Sequence, residues 1–294
     1  MIYILITINI LFSTSLQQTF DDAPSLNGYD KYVLLDPNII YNGGLGLYEG
    51  NVMIDGQGAS IDLQGGTGVW VYGTTDYPCN LDIKFCSIIN GEYDGLNYAG
   101  LATGNVENCN FINNNIGMKL MDESIVDISN SNFINNATYG LAIVTENPIC
   151  NISYCNSWNN GEYDFMENCP GWGNIWTPWE PQPGIDLIYE DPLFIDLDSG
   201  DFSYSEISPC IDSGNPEQTD PDGSIRDIGA NIYNPSNIGD CNNDDSQNVI
   251  DIIYNMNNCI LEVLINDCEC SDLNQDNEYN ILDIVMLVNI ILEN

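Results

Sequence analysis

The chain has 294 residues, room for one large and one small domain. Forty-four Asp and Glu stand against four Lys and Arg, a formal charge of -40, so the surface repels phosphate and anionic lipid; neither nucleic acid nor a membrane surface is an expected partner. Histidine is absent, which excludes Ser-His-Asp and Cys-His nucleophiles and His-ligated zinc; acid-base chemistry must rest mainly on carboxylates, and bound divalent cations would relieve the self-repulsion.

Ile2 to Phe12 form a short apolar run followed by the small residues Ser13-Thr14-Ser15. The pattern predicts a signal peptide over residues 1–15 rather than a membrane span, and hence secretion or display at the cell surface.

Next comes an internal repeat. Cys86-Ser-Ile-Ile-Asn90, Cys109-Asn-Phe-Ile-Asn113, Ser131-Asn-Phe-Ile-Asn135 and Cys155-Asn-Ser-Trp-Asn159 begin 23, 22 and 24 residues apart. Each runs into a turn and a new apolar stretch: Asp94-Gly-Leu96, Ile116-Gly-Met118, Tyr139-Gly-Leu141 and Tyr163-Asp-Phe165. A period of this length signals a solenoid whose units bury their apolar faces by stacking. Apolar residues at i and i+2 lie on one strand face, and no amphipathic helical stretch intervenes, so the units read as short strands joined by turns. The repeat predicts an all-β parallel β-helix over residues 16–235. In it, Asn90, Asn113, Asn135 and Asn159 would stack as an amide ladder, and Cys86, Cys109 and Cys155 as small core hydrophobes.

These coils, with Asn at one turn, resemble the right-handed parallel β-helix proteins of the pectate-lyase-like class. Ile54 to Asp62 is similar to an early coil of that class; Asp191-Pro-Leu-Phe194, Ser208-Pro-Cys-Ile-Asp212 and Arg226-Asp-Ile-Gly-Ala230 are similar to its closing coils. The resemblance implies long flat faces suited to polysaccharide.

Gly91-Glu-Tyr-Asp94 recurs as Gly161-Glu-Tyr-Asp164, with Asp122 between the copies. Asp94, Asp122 and Asp164 are the catalytic candidates for glycoside hydrolysis, which requires paired carboxylates. A lyase acting on uronates needs a basic side chain; only Lys84 and Lys119 lie in the repeats, so hydrolysis is the more expected chemistry if the protein is an enzyme. A non-catalytic adhesion protein is the alternative. The repeat is interrupted from Cys169 to Glu180 by a loop dense in Pro, Gly and Trp, whose Trp172, Trp176 and Trp179 either plug the side of the solenoid or offer flat faces for sugar rings. Near Asp220, a turn is expected in which Asp220 or Asp227 pairs with Arg226.

After Asn234-Pro235-Ser236 the composition shifts to acidic loops and apolar helices, marking a second domain over 236–294. Asp240, Asn242, Asp244, Ser246, Asn248 and Asp251 occupy positions 1, 3, 5, 7, 9 and 12 of one loop; Asp272, Asn274, Asp276, Glu278, Asn280 and Asp283 occupy the same positions 32 residues later. In such a loop alternate side chains turn inward, position 7 offers its carbonyl and position 12 a carboxylate, the oxygen set that Ca2+ requires. Two calcium sites are expected, with helices at Ile252 to Leu261 and Ile284 to Leu292. Position 6 is Asp245 or Asn277 rather than Gly, and both residues tolerate the left-handed turn. Asp at position 12 and a helix after each loop resemble a dockerin, which implies a cohesin-like protein domain as partner. Cys241, Cys259, Cys268 and Cys270 admit three disulfide pairings.

Overall fold

The computed structural model describes residues 13–145, 148–168, 176–178, 186–221, 223–233, 239–241, 247–260, 269–271, 273 and 280–293. The chain divides into two compact units, Met1–Tyr233 and Asn234–Asn294.

The larger unit winds its strands into three parallel sheets. The first stacks Lys31–Leu34, Gly50–Asp55, Cys79–Lys84, Thr103–Glu107, Ile125–Ser129 and Ile149–Ser153. The second stacks three-residue strands, among them Ile40–Asn42, Ser60–Asp62, Ser87–Ile89, Asn110–Ile112, Asn132–Ile134 and Asn156–Trp158. The third stacks Leu45–Leu47, Val69–Gly73, Asp94–Gly100, Ile116–Leu120, Tyr139–Ile143 and Tyr163–Asn168. Each coil therefore visits the sheets in the same order, and six coils are described.

The registers explain the sequence pattern. Val52, Leu81 and Ile61, Ile88, Phe111, Phe133 point inward from the first and second sheets, as do Leu96, Met118 and Leu141 from the third, all at most 1% exposed. Burying one such side chain contributes roughly 1.5 to 3 kcal/mol, so each coil depends on the next for its core. Phe111 stacks on Phe133 with centroids 5.2 Å apart. Cys86, Cys109 and Cys155 are fully buried free thiols, and burial pushes Cys109 and Cys155 up to about 12.

The expected ladder keeps one outer rung, Asn159 Nδ2 donating to Asn135 Oδ1 (2.8 Å), and the buried ladder lies one residue beyond it. Asn90, Asn113, Asn135 and Asn159 sit at left-handed corners, φ 55 to 61°, mostly facing solvent. Asn is there because it tolerates that backbone. The buried ladder is Asn114–Asn136–Asn160: Gly91 N donates to Asn114 Oδ1 (2.9 Å), Asn114 N to Asn136 Oδ1 (3.1 Å) and Asn136 N to Asn160 Oδ1 (3.0 Å). Their Nδ2 groups donate to the carbonyls of Ile88, Phe111 and Phe133.

Asp191–Phe194, Ser208–Asp212 and Arg226–Ala230 do not close the solenoid as further coils. After an isolated bridge from Asn156 to Ile188, the segment 190–233 runs back along the outside of the second sheet. The reason lies in that sheet's outward residues: Ile89, Ile112 and Ile134 need an apolar cover, and Phe194, Leu197 and Phe202 supply it. The outward Asn side chains are satisfied by the same strap, Asn108 Nδ2 donating to Asp227 O (2.8 Å), Asn132 Nδ2 to Tyr204 Oη (2.8 Å) and Ala230 N to Asn110 Oδ1 (3.2 Å). Arg226 pairs with Asp220 at 2.8 Å and lies over the Phe85 ring.

Ser13–Ser15, read from sequence as the end of a leader, pair in parallel with Ile40–Asn42. Helix α1 (Leu16–Asp22) follows; Leu16 is fully buried, and Lys31 Nζ donates to the carbonyls of Asp21 and Ala23 at its end.

The smaller unit contains helix α2 (Val249–Asn255), a π-helical turn Met256–Ile260 and helix α3 (Ile281–Glu293). Both α-helices begin three residues before the expected starts. Asn248 and Asn280 accept from Ile250 N (2.7 Å) and Leu282 N (2.8 Å), and Asp251 and Asp283 accept from Asn248 N (2.8 Å) and Asn280 N (2.9 Å). This capping box makes the last loop residues the first helical turn. Cys241 bonds Cys270, and Cys259 is also disulfide-bonded. Among the described residues no helix is long and apolar enough to cross a membrane.

Candidate functional site

The three candidate catalytic carboxylates are not brought together. Asp94 opens a strand of the third sheet in register with Ile116, Tyr139 and Tyr163 on the next three coils. Asp164 is therefore about 14 Å away, at ~4.8 Å per coil. Asp122 lies beyond Leu120, the far end of the neighbouring strand, more than about 13 Å from Asp94 at ~3.3 Å per residue. Both separations exceed the ~9.5 Å limit for a hydrolytic pair.

Each carboxylate also has a local task. Asp94 pairs with Lys119 Nζ (2.5 Å) and accepts from Asn97 Nδ2 (3.0 Å). Asp122, at φ 59°, accepts from Gly100 N (2.8 Å) and so ties one coil to the previous one. Asp164 accepts from Ser157 Oγ and Asn160 Nδ2, both at 2.9 Å, at the end of the amide ladder. Lys84 is likewise engaged, with Asp55 at 3.0 Å.

What the third sheet does gather is aromatic surface. Leu45, Leu47, Val69 and Val71 face inward, so Gly46, Tyr48, Trp70 and Tyr72 between and beyond them face outward. Trp70 is 37%, Tyr72 39% and Tyr48 62% exposed. Trp70 stands beside Asn97, which stands beside Lys119, in one outward row across three coils. Trp70, Tyr93, Asp94, Asn97, Ile116 and Lys119 line a concavity of about 390 Å³. On later coils Tyr139 and Tyr163 stack at 6.3 Å; burial and the hydrogen bond to Glu162 push the Tyr139 phenol up to about 12.

This face escaped the sequence reading, although the strict alternation Val69-Trp-Val-Tyr72 carries its signal: β-branched residues inward and aromatics outward. Of the expected sugar-stacking residues, Trp172 and Trp179 lie outside the described residues. Trp176 begins the strand Trp176–Pro178, which pairs antiparallel with the end of Tyr163–Asn168 and caps the third sheet.

In the smaller unit Asp240, Asn248, Asp251, Asn280 and Asp283 are described; Asn242, Asp244, Ser246, Asp272, Asn274, Asp276 and Glu278 lie outside the described residues. Among the described residues no three acidic or sulfur side chains converge on one point. Asp240, Asp251 and Asp283 are nevertheless withdrawn from water, 3%, 0% and 1% exposed. Residues 234–294 contain no Lys or Arg, so no protein cation of this unit can neutralise those buried carboxylates.

Residues 28–171 match the family described as right handed beta helix region. With the six stacked parallel coils, this makes the larger unit a right-handed parallel β-helix. The search of curated proteins found no match.

Proposed function

We propose that this is a secreted polysaccharide-binding β-helix protein, docked to a protein partner by a calcium-binding, dockerin-like C-terminal unit. The glycan half of the reading rests on one observation, the exposed face of Trp70, Tyr72 and Tyr48, with Trp70 at the edge of a concavity also lined by the Asp94–Lys119 pair. A contiguous exposed aromatic patch marks an interaction face, and sugar C–H faces suit it. The separation of Asp94, Asp122 and Asp164 favours binding over cleavage. Purified protein screened against a polysaccharide panel is expected to bind without releasing reducing ends or unsaturated products. Trp70→Ala should weaken binding about tenfold; undiminished binding by that variant would remove the third sheet from the reading.

The docking half is supported by duplication. Val249, Ile250, Ile253 and Tyr254 of α2 are 39 to 59% exposed, and Ile281, Leu282, Val285 and Met286 of α3, each 32 positions later, are 40 to 63% exposed. Two short helices presenting equivalent apolar faces fit a protein partner, for which a cohesin-like domain is the proposed class. Calcium is the proposed counter-charge for Asp240, Asp251 and Asp283, with the alternate oxygens of both loops completing its shell. The disulfides of this unit suit an oxidising compartment. Pull-down with a cohesin panel in calcium and in chelator tests this half; capture independent of calcium would count against it.

A further inference from the structure

The aromatic face continues past Trp70 into a second cavity, of about 860 Å³, at the corner where the first two coils pass from the third sheet to the first. Phe20, Tyr48, Tyr72 and Tyr77 bring four rings to it. The rings are held by backbone. Tyr48 lies over Gly46, where a Cβ would meet the ring at 3.0 Å, and Tyr72 lies over Gly100, where a Cβ would meet it at 3.1 Å. Tyr77 closes a turn, its N–H donating to Thr74 Oγ1 (3.1 Å) and its carbonyl accepting from Thr74 N (2.9 Å).

The charges around these rings are lopsided. Lys31 donates to two carbonyls at the end of α1 and stands 5.6 Å from the Phe20 ring centre, one positive charge against the three carboxylates Asp30, Glu49 and Asp76 around the cavity. Asp30 accepts from Asn51 N. Glu49 and Asp76 remain at the rim, with no hydrogen bond or ion pair among the described residues. The ring faces of Tyr48, Tyr72 and Tyr77 and the excess of carboxylates over Lys31 both attract a further cation, and an ammonium group gains from each where a neutral hydroxyl gains little.

We propose that this cavity recognises an ammonium-bearing unit, so that the glycan on the third sheet is a cationic amino-sugar polymer. The proposal rests on the glycan reading for the polymer, and on the cavity itself for the ammonium. Uronates are disfavoured by the same carboxylates.

The test is titration calorimetry with three probes: a β-1,4-linked glucosamine hexamer, its fully N-acetylated form and a neutral glucose hexamer. The glucosamine hexamer is expected to bind about tenfold or more tighter than the other two. The double variant Glu49→Gln with Asp76→Asn should abolish that preference and leave the acetylated hexamer unaffected. Asp198→Asn with Glu206→Gln, an equal charge change on the strap, should preserve it. Equal loss of preference in both double variants would reduce the effect to net charge and overturn the proposal. If all three hexamers bind alike and Trp70→Ala weakens all of them, the glycan reading survives and the ammonium site falls. If no hexamer binds, glucosamine monomer is followed by the ring resonances of Tyr48, Tyr72 and Tyr77: shifts at those rings retain the site without the polymer, and their absence sinks both.

Discussion

Asn136 accepts the backbone N–H of Asn114 at 3.1 Å through Oδ1 and donates to the Phe111 carbonyl at 3.0 Å through Nδ2, joining two coils inside the turn. Both partners are buried, so Asn136→Ala orphans a donor and an acceptor. A loss of about 3 kcal/mol is expected in urea unfolding. Asn135→Ala, one residue earlier at a half-buried left-handed corner whose Oδ1 accepts from Asn159 Nδ2 at 2.8 Å, should cost only about 1 to 2 kcal/mol, and Asn135→Gly less still. The reverse order of costs would put the ladder back where the sequence pattern suggested it.

Tyr98 is fully buried and donates to the Leu81 carbonyl at 2.7 Å across the solenoid's interior. Tyr98→Phe keeps the packing and strands the acceptor, so a loss of about 1 to 2 kcal/mol is expected. Thermal unfolding of the variant gives the answer, and an unchanged midpoint would show that the bond adds nothing.

Calcium at a hundred times its dissociation constant is expected to stabilise the small unit by about 2.7 kcal/mol per site, provided only the folded form binds. Asp251→Asn and Asp283→Asn preserve an acceptor for the capping bonds to Asn248 and Asn280 while removing a carboxylate. Each should lower the calorimetric calcium stoichiometry by one and leave helical circular dichroism largely intact in the loaded protein. Two ions still bound by either variant would exclude position 12 as a ligand.

Cys241 and Cys270 are 29 residues apart. Closing a loop of that length stabilises by about 3.5 kcal/mol on the chain-entropy account. Reduction should therefore unfold the small unit at lower denaturant while the β-helix, whose described cysteines are free and almost all buried, keeps its transition. Coincident loss of both transitions would contradict this.

Asp227 links the strap to itself, accepting from Asp212 N (2.8 Å) and Tyr233 N (2.6 Å). Burial raises its carboxyl to about 6, against the lowering effect of those two N–H donors. A raised acid is more protonated folded than unfolded between pH ~4 and ~6, so the strap's stability falls as pH rises through that window, by about 1 to 2 kcal/mol. Exchange of the Ile228 amide, which bonds the Cys210 carbonyl, reports strap opening. Protection that rises from pH 4 to 6 would have the wrong sign.

The fold was legible where spacing alone decides it. Cys86, Cys109, Ser131 and Cys155 begin equivalent turns, and a strand-turn repeat of 22 to 24 residues leaves stacking as the way to bury Phe111 and Phe133. That Arg226 pairs within its own turn was also readable, because Asp220 and Asp227 are both close in sequence; the structure chose Asp220. The site was not. Gly91-Glu-Tyr-Asp94 and Gly161-Glu-Tyr-Asp164 look equivalent, yet Asp94 registers with Tyr163, because one more residue separates Asn159 from Asp164 than Asn90 from Asp94.

By itself the sequence determined a parallel β-helix followed by a duplicated acidic loop and helix, because period and alternation are local properties. Tertiary structure decided that Trp70, Tyr72 and Tyr48 share one exposed face, that Asp94, Asp122 and Asp164 stay apart, and that residues 190–233 fold back as a strap. Those outcomes depend on which residues of different coils come into register and on which outward apolar surface needs covering. Ile89, Ile112 and Ile134 drew the strap over the second sheet, and on the third sheet Trp70 and Tyr72 stay in water.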